Sequence, residues 1–164
     1  DEFSEVFADD KDHKYVSFTQ IDTDMEVLIP DEYVTNISER YNLYTEISKL
    51  DNEDQLTDFA VSLEDRFGPI PHEVFELFNT LRLQWFGKQI GFEKISYKKN
   101  TLKGYFVNNP KSAYFESDQF GKVLAFVQQH PEISNLKEIK KQLRLALSNV
   151  NSISYALKLL KEMV

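Results

Sequence analysis

Along residues 53–67 the apolar positions Leu56, Phe59, Ala60, Leu63 and Phe67 recur three and four apart, the spacing of one helix face. Gly68 stands where a left-handed residue ends a helix, and Pro69 forbids continuation. Pro71 suits the first turn of a further helix over about 71–90. There Phe75, Leu77, Phe78, Leu81, Leu83, Trp85 and Phe86 make most sides apolar, which predicts a central buried helix ended by Gly91. Upstream, Asp31 is a candidate cap for a helix reaching about Leu50, with Val34, Ile37, Tyr41, Tyr44 and Ile47 along one stripe. Residues 51–54, DNED, break it. Alternating residues 14–21 (KYVSFTQI) predict a strand, and 25–29 (MEVLI) a second short one stopped by Pro30.

Beyond Gly91 the period changes from helical to alternating. Residues 93–99 (EKISYKK) and 102–107 (LKGYFV) predict a hairpin turning at Asn100 and Thr101. Ser117 is placed to cap a helix over about 118–129, with Phe120, Val123, Leu124 and Val127 inward. Residues 136–140 and 142–149 read as strands. A last helix from Ser152 to about Glu162 is expected to bury Ile153, Ala156, Leu157 and Leu160. The pattern predicts an α+β fold: a helical front lobe (about 30–91) packed with a small mixed α/β back lobe (about 92–164) containing an antiparallel sheet. Residues 1–13, where acids surround Phe3, Val6 and Phe7, read as a linker or the tail of a preceding segment, ahead of one domain over 14–164.

Composition sharpens this picture in two ways. Thirteen Phe and eight Tyr among 164 residues supply enough apolar bulk for a packed core, which excludes global disorder. The net charge of −8 is unevenly spread. Residues 1–12 carry six acids against one Lys, and 13–89 carry 15 acids against 6 Lys and Arg. Residues 90–164 reverse this, with 12 Lys and Arg against 6 acids. An acidic front half suits a basic partner surface, and the back half offers scattered lysines. No apolar run reaches membrane-spanning length, no signal peptide is evident, and there is no Cys. These features lead to the expectation of a cytoplasmic protein without disulfides or thiolate chemistry.

Catalytic signatures are missing. There is no phosphate-binding Gly-rich loop, no GxSxG and no HExxH, and the glycines are isolated. His13, His72 and His130 are far apart beside expected turns, so no metal is expected. Asp22, Asp24 and Glu26 have calcium-loop spacing. Val27 and Tyr33 stand where that loop needs Gly and Glu, so a solvated turn is expected. The sequon Asn36-Ile37-Ser38 lies in a predicted helix whose Ile37 is expected to be buried. Paired acids such as Asp51/Asp54 and Glu64/Asp65 sit on expected exposed faces, without the burial that tunes acid–base groups. Neither a catalytic activity nor a cofactor is expected.

What remains is a polar ridge. Opposite the apolar face of helix 53–67, at about 100° per residue, lie Asp54, Asp58, Ser62 and Asp65, with Arg66 at the edge. The ridge ends at the stiff turn of Gly68, Pro69 and Pro71. Arg66 is electrostatically suited to a last helical turn, where Asp65 is not. As a plain surface, Arg66 would pair locally and the rest would be solvated. As a site, the ridge is a rigid acidic surface for docking.

The run IDTDMEVLIPDEYVTNISERYNLYTEISKL (21–50), then LEDRFGPIP (63–71), then a helix ending in Ile90-Gly91, resembles the C-terminal domain of bacterial transcription-repair coupling factors (Mfd). The shared features are a LIPxxYI-like turn at Leu28–Tyr33, an RxxLYxxI helix with Arg40, Leu43 and Tyr44, and an LxDRFGxxP turn at Leu63–Pro71. The likeness covers about 14–164, strongest over 20–92 and weak in the back lobe. It implies a non-catalytic regulatory domain, without cofactor, of an ATP-dependent double-stranded DNA translocase. Such parents displace stalled RNA polymerase and recruit the repair protein UvrA. In the family this domain docks on the N-terminal UvrB-like module of the same chain, masks the UvrA-binding surface and restrains the motor. The contact carries over to Asp65 and Arg66, with Ser62, Asp58 and Asp54 on the same ridge. Ser62 departs from the pattern, since relatives often have an acid there; Asp58 stands one turn earlier. A monomer is expected, with no membrane and no direct nucleic-acid contact. The alternative is an accessory nucleic-acid-binding domain using Lys94, Lys98, Lys99, Lys103, Lys137, Lys140 and Lys141 of the back half.

Overall fold

The computed structural model describes residues 15–164. The expected linker 1–13, with His13, lies outside the described residues. Among those described there are five helices and a five-stranded mixed sheet, an α+β fold as expected. The front half supplies strand β1 (Gln20–Thr23) and helices α1 (Ile37–Ser48), α2 (Glu53–Phe67) and α3 (His72–Ile90). The back half supplies β2 (Phe92–Lys98), β3 (Thr101–Phe106), α4 (Asp118–Gln129), β4 (Ser134–Ile139), β5 (Gln142–Leu147) and α5 (Ile153–Lys161). A short 3-10 turn, Ala113–Glu116, precedes α4.

The helical lobe departs from expectation at its start. Residues 25–29 form no strand. The Ile29 N–H donates to the Tyr44 hydroxyl (2.7 Å), so that backbone donor is satisfied without a ladder. The helix capped by Asp31 also fails. The Pro30 carbonyl accepts from Tyr33 and Val34 N–H, closing a turn, and Asp31 lies 3.4 Å from the Arg40 guanidinium. The true cap is Asn36, whose side chain accepts from Glu39 N–H (3.0 Å). The side turned inward is also different: Leu43, Tyr44 and Ile47 pack on the front core. Leu43 and Ile47 are buried, whereas Ile37 and Tyr41 are 61% and 69% exposed.

Helices α2 and α3 follow their apolar spacing. Leu56 and Leu63 of α2 are buried; Phe59, Ala60 and Phe67 are half-buried against the same core. Pro71 precedes α3 as its N-terminal cap residue rather than lying within the first turn. Gly91 closes α3 in the left-handed region, φ +110°, and its N–H donates to Gly87 O.

The sheet has the order β1-β2-β3-β5-β4. β1 runs parallel to β2, with Ile21 opposite Ile95; the other pairs are antiparallel. The expected strand 14–21 is therefore shorter, starts later and serves as the edge of the back-half sheet. The β2–β3 turn uses Lys99 and Asn100, both at positive φ, one residue before the expected position. β4 and β5 join through Lys140 and Lys141, also at positive φ. Ser117 caps α4 and Ser152 caps α5, as expected. Leu159 is buried in α5, and Leu157 is only partly so.

Two apolar cores result. Val34, Leu43, Leu56, Leu63, Val74, Phe78 and Leu81 build one. The inner face of the sheet with α4, α5 and the C-terminal part of α3 builds the other, which includes Leu83 and Ile90. α3 thus contributes to both.

Candidate functional site

The ridge forms on α2 as its spacing requires. Asp54, Asp58 and Asp65 are exposed in one row at i, i+4 and i+11, with Ser62 exposed beside them. The row is not wholly polar, however. Val61, at i+7 between Asp58 and Asp65, is 59% exposed. Sequence reasoning missed it by counting only polar positions on that arc. A valine between three acids is the available signal.

The helix carrying the ridge is held at both ends. Asn52 caps it, its side chain accepting from Gln55 N–H (2.9 Å). Glu53 takes a bidentate fork from Arg82 of α3, at 2.6 and 2.9 Å, while Arg82 also donates to Asn79 (2.8 Å). That hydrogen-bonded fork holds the Glu53 carboxyl below the usual carboxylate range, although its partial burial opposes the shift. At the other end Gly68 has φ +89° and ψ −169°, a positive-φ glycine but not the left-handed helical conformation expected. Its carbonyl accepts from the Tyr33 hydroxyl (2.8 Å), and the Tyr33 ring packs on Phe67 with centroids 5.9 Å apart. Burial, then the Glu64 charge, pushes the Tyr33 hydroxyl up, so it stays a protonated donor.

The charges on this rigid element are unspent. Among the described residues Asp54, Asp58, Asp65 and Arg66 form no ion pair with one another or with a neighbour. Arg66 instead stacks its guanidinium 4.8 Å from the centre of the Phe67 ring. The local pairing that would make Arg66 an ordinary helix-end cation is therefore not formed. The three carboxylates, one exposed valine and one stacked arginine can accept from, pack on and donate to a partner surface.

The other candidates fall elsewhere. His72 lies 3.8 Å from Glu76, and His130 faces Glu132 and Glu162 at 3.8 and 3.6 Å. Among the described residues no group of three His, Cys, Asp or Glu is placed to hold a metal ion. No helix among them is long and apolar enough to cross a membrane. A cleft of about 520 Å³, lined in part by Asp24, His72, Glu73, Glu76 and Lys99, includes no ridge residue. The back-half lysines gather around the sheet and its turns, on the other core. Lys94 and Lys98 share Asp22, at 3.8 and 2.9 Å, and the Lys99 N–H donates to Asp24 (3.1 Å).

Known proteins place this fold. The model of the TRCF domain matches residues 23–117. The transcription-repair-coupling factor of Borreliella burgdorferi is 26% identical over 123 residues, covering 74% of this chain and 10% of that protein. The factor of Myxococcus xanthus is 40% identical over 53 residues, covering 32% of this chain and 4% of that one. The chain thus spans a tenth or less of the length of these curated relatives. A crystal structure of the C-terminal domain of transcription-repair coupling factor superposes with a TM-score of 0.68 at 17% identity, covering 90% of this chain and 91% of that one. That likeness carries the fold: a helical half, a mixed sheet and the helices packed on it. The family match spans more than half of the chain, from the end of β1 to the turn before α4, and includes the whole ridge. The chain belongs to the TRCF domain family, the C-terminal domain of transcription-repair coupling factors.

Proposed function

We propose that this domain is an autoinhibitory module. Through the α2 ridge it docks on the N-terminal UvrB-like module of its own parent chain, covers the UvrA-binding surface there and restrains the motor. The observation that carries the reading is the row of unpaired charges, Asp54, Asp58 and Asp65 with Arg66, on a helix pinned at both ends. A helix held this way presents its charges without further ordering cost, which favours charge-assisted hydrogen bonds to an arginine-bearing surface. Val61 adds a small apolar contact at the centre of the row. No catalytic step is assigned to the domain.

Such a contact must also be breakable. Moving a two-state clamp from almost fully closed to almost fully open takes about 5.5 kcal/mol of differential binding, within reach of a few charge pairs that docking takes out of water around an apolar centre. Calorimetric titration of the domain into the UvrB-like module tests the proposal. The native domain should bind, and Asp65→Arg with Arg66→Glu should weaken binding at least tenfold while the circular dichroism spectrum is unchanged. Equal binding by the reversed variant would remove the ridge from the contact.

A further inference from the structure

The sheet has a second face, and its chemistry differs from that of the ridge. Strand pairing fixes what lies on it. Gln20, Lys94, Tyr105, Arg144 and Lys137 stand opposite one another across all five strands, in one continuous row. The next row on the same side is Asp22, Ser96, Lys103, Ala146 and Asn135. The alternate positions Ile95, Leu102, Phe106, Leu145 and Leu147 point the other way, into the core under α3, α4 and α5. At about 4.8 Å per strand, the basic row is roughly 19 Å wide.

Three features make this row more than a solvated surface. First, its aromatic residue is built into the cationic array. The Tyr105 ring has the Arg144 guanidinium 4.8 Å and the Lys94 ammonium 5.2 Å from its centre. Second, the cations are mostly uncompensated. Asp22 serves Lys94 and Lys98, but among the described residues Lys103, Lys137 and Arg144 take part in no ion pair, and Arg144 Nε is buried without an acceptor. Third, the hairpin turns at opposite ends of the strands carry lysines where the backbone disfavours them. Lys99, Lys140 and Lys141 have φ of 51°, 52° and 66°, a region that glycine or asparagine occupies at lower cost.

We propose that this open face binds single-stranded nucleic acid, with phosphates on Lys103, Lys137 and Arg144 and bases stacked on the Tyr105–Arg144 platform. A positively charged track with an aromatic and a guanidinium plane is what an unpaired strand needs: charge for its backbone and flat surfaces for its bases. An acidic peptide is the weaker fit. Its strongest mode on a sheet is strand addition, and this face offers side chains only, because the backbone groups between strands are paired with each other. The face lies on the opposite core from the ridge, so the two surfaces are chemically and spatially separate.

The test is fluorescence anisotropy of a labelled 20-nucleotide single-stranded DNA of mixed sequence, titrated with the 164-residue chain. Binding is expected at 50 mM salt. With three phosphates engaged, it should weaken roughly 20-fold by 200 mM. The variant Lys103→Glu/Lys137→Glu should weaken binding at least tenfold, and Tyr105→Leu several-fold. The control Lys158→Glu/Lys161→Glu makes the same charge change on exposed positions of α5, and should weaken it less than twofold. No binding at 50 mM salt, or equal loss in the two double variants, overturns the proposal. So does polyglutamate displacing the oligonucleotide at equal charge concentration, which would assign the face to an acidic protein.

Discussion

At Gly91 a side chain has no room. A Cβ there would sit 2.3 Å from the Tyr114 ring, and the backbone is at φ +110°. The same ring donates its hydroxyl to the carbonyl of Ile90 (2.5 Å), tying the end of α3 to the turn before α4. Burial pushes that hydroxyl well above the ordinary phenol range, so it remains a donor throughout the working pH range. Gly91→Ala adds strain and overpacking at one point, and should lower stability by about 2–4 kcal/mol in urea unfolding. The Glu53–Arg82 fork is more exposed and worth less, under about 1 kcal/mol. Its sign is fixed by the direction of the shift. Because the folded carboxyl is held below its unfolded value, the contribution is fully present above about pH 4.3 and is lost as pH falls through the lowered folded value. The urea midpoint of Glu53→Gln should therefore lie below the native one at pH 7, and the two should converge in acid.

For the elements, caps decide where helices begin, and α1 shows how a cap is misread. Asp31 and Asn36 are both acceptable capping residues, but only Asn36 meets the free N–H groups of the helix. Asp31 is engaged with Arg40 at the surface. Asn36→Ala should cost about 1 kcal/mol, whereas Asp31→Ala should cost under about 0.5 kcal/mol. Equal losses in chemical denaturation would mean that the residue-31 turn behaves as part of the helix. Which side of α1 faces in is set by packing on the front core, which takes Leu43 and Ile47 and leaves Ile37 and Tyr41 on the solvent side.

Over the whole molecule, α3 is the shared part. Phe78 and Leu81 belong to the front core, Leu83 and Ile90 to the back core, and the indole N–H of Trp85 donates to Leu50 O (3.2 Å). A helix that serves two cores cannot unfold in one and persist in the other. Trp85 fluorescence, which reports the front core, and far-UV circular dichroism should follow a single urea transition. Phe78→Ala, costing about 3–5 kcal/mol, should move both midpoints together. Two separated transitions would show that the cores are independent.

Much of this protein was legible from spacing. Leu56, Leu63 and Phe67 set α2, Gly68 and Gly91 set helix ends, and Ser117 and Ser152 set caps, because each rests on interactions within a few residues. The ridge was legible for the same reason, since helical periodicity alone puts Asp54, Asp58 and Asp65 on one side. What failed were choices between local alternatives that a distant group decides. Residues 25–29 have strand chemistry, but the Tyr44 hydroxyl takes the Ile29 donor. Lys99 and Asn100 form the hairpin turn because Lys98 pairs with Thr101. Arg144 and Tyr105 become neighbours only when β5 pairs with β3, 39 residues along the chain. Sequence by itself determined α2, α3 and the capped back-half helices, and the exposed acids of α2, through local periodicity and capping. Tertiary structure alone decided that Arg66 and Asp65 stay unpaired, that β1 joins the far sheet, and that basic residues from four strands converge on one face. Those outcomes depend on long-range pairing, where many weak local preferences yield to the burial of two cores on one helix.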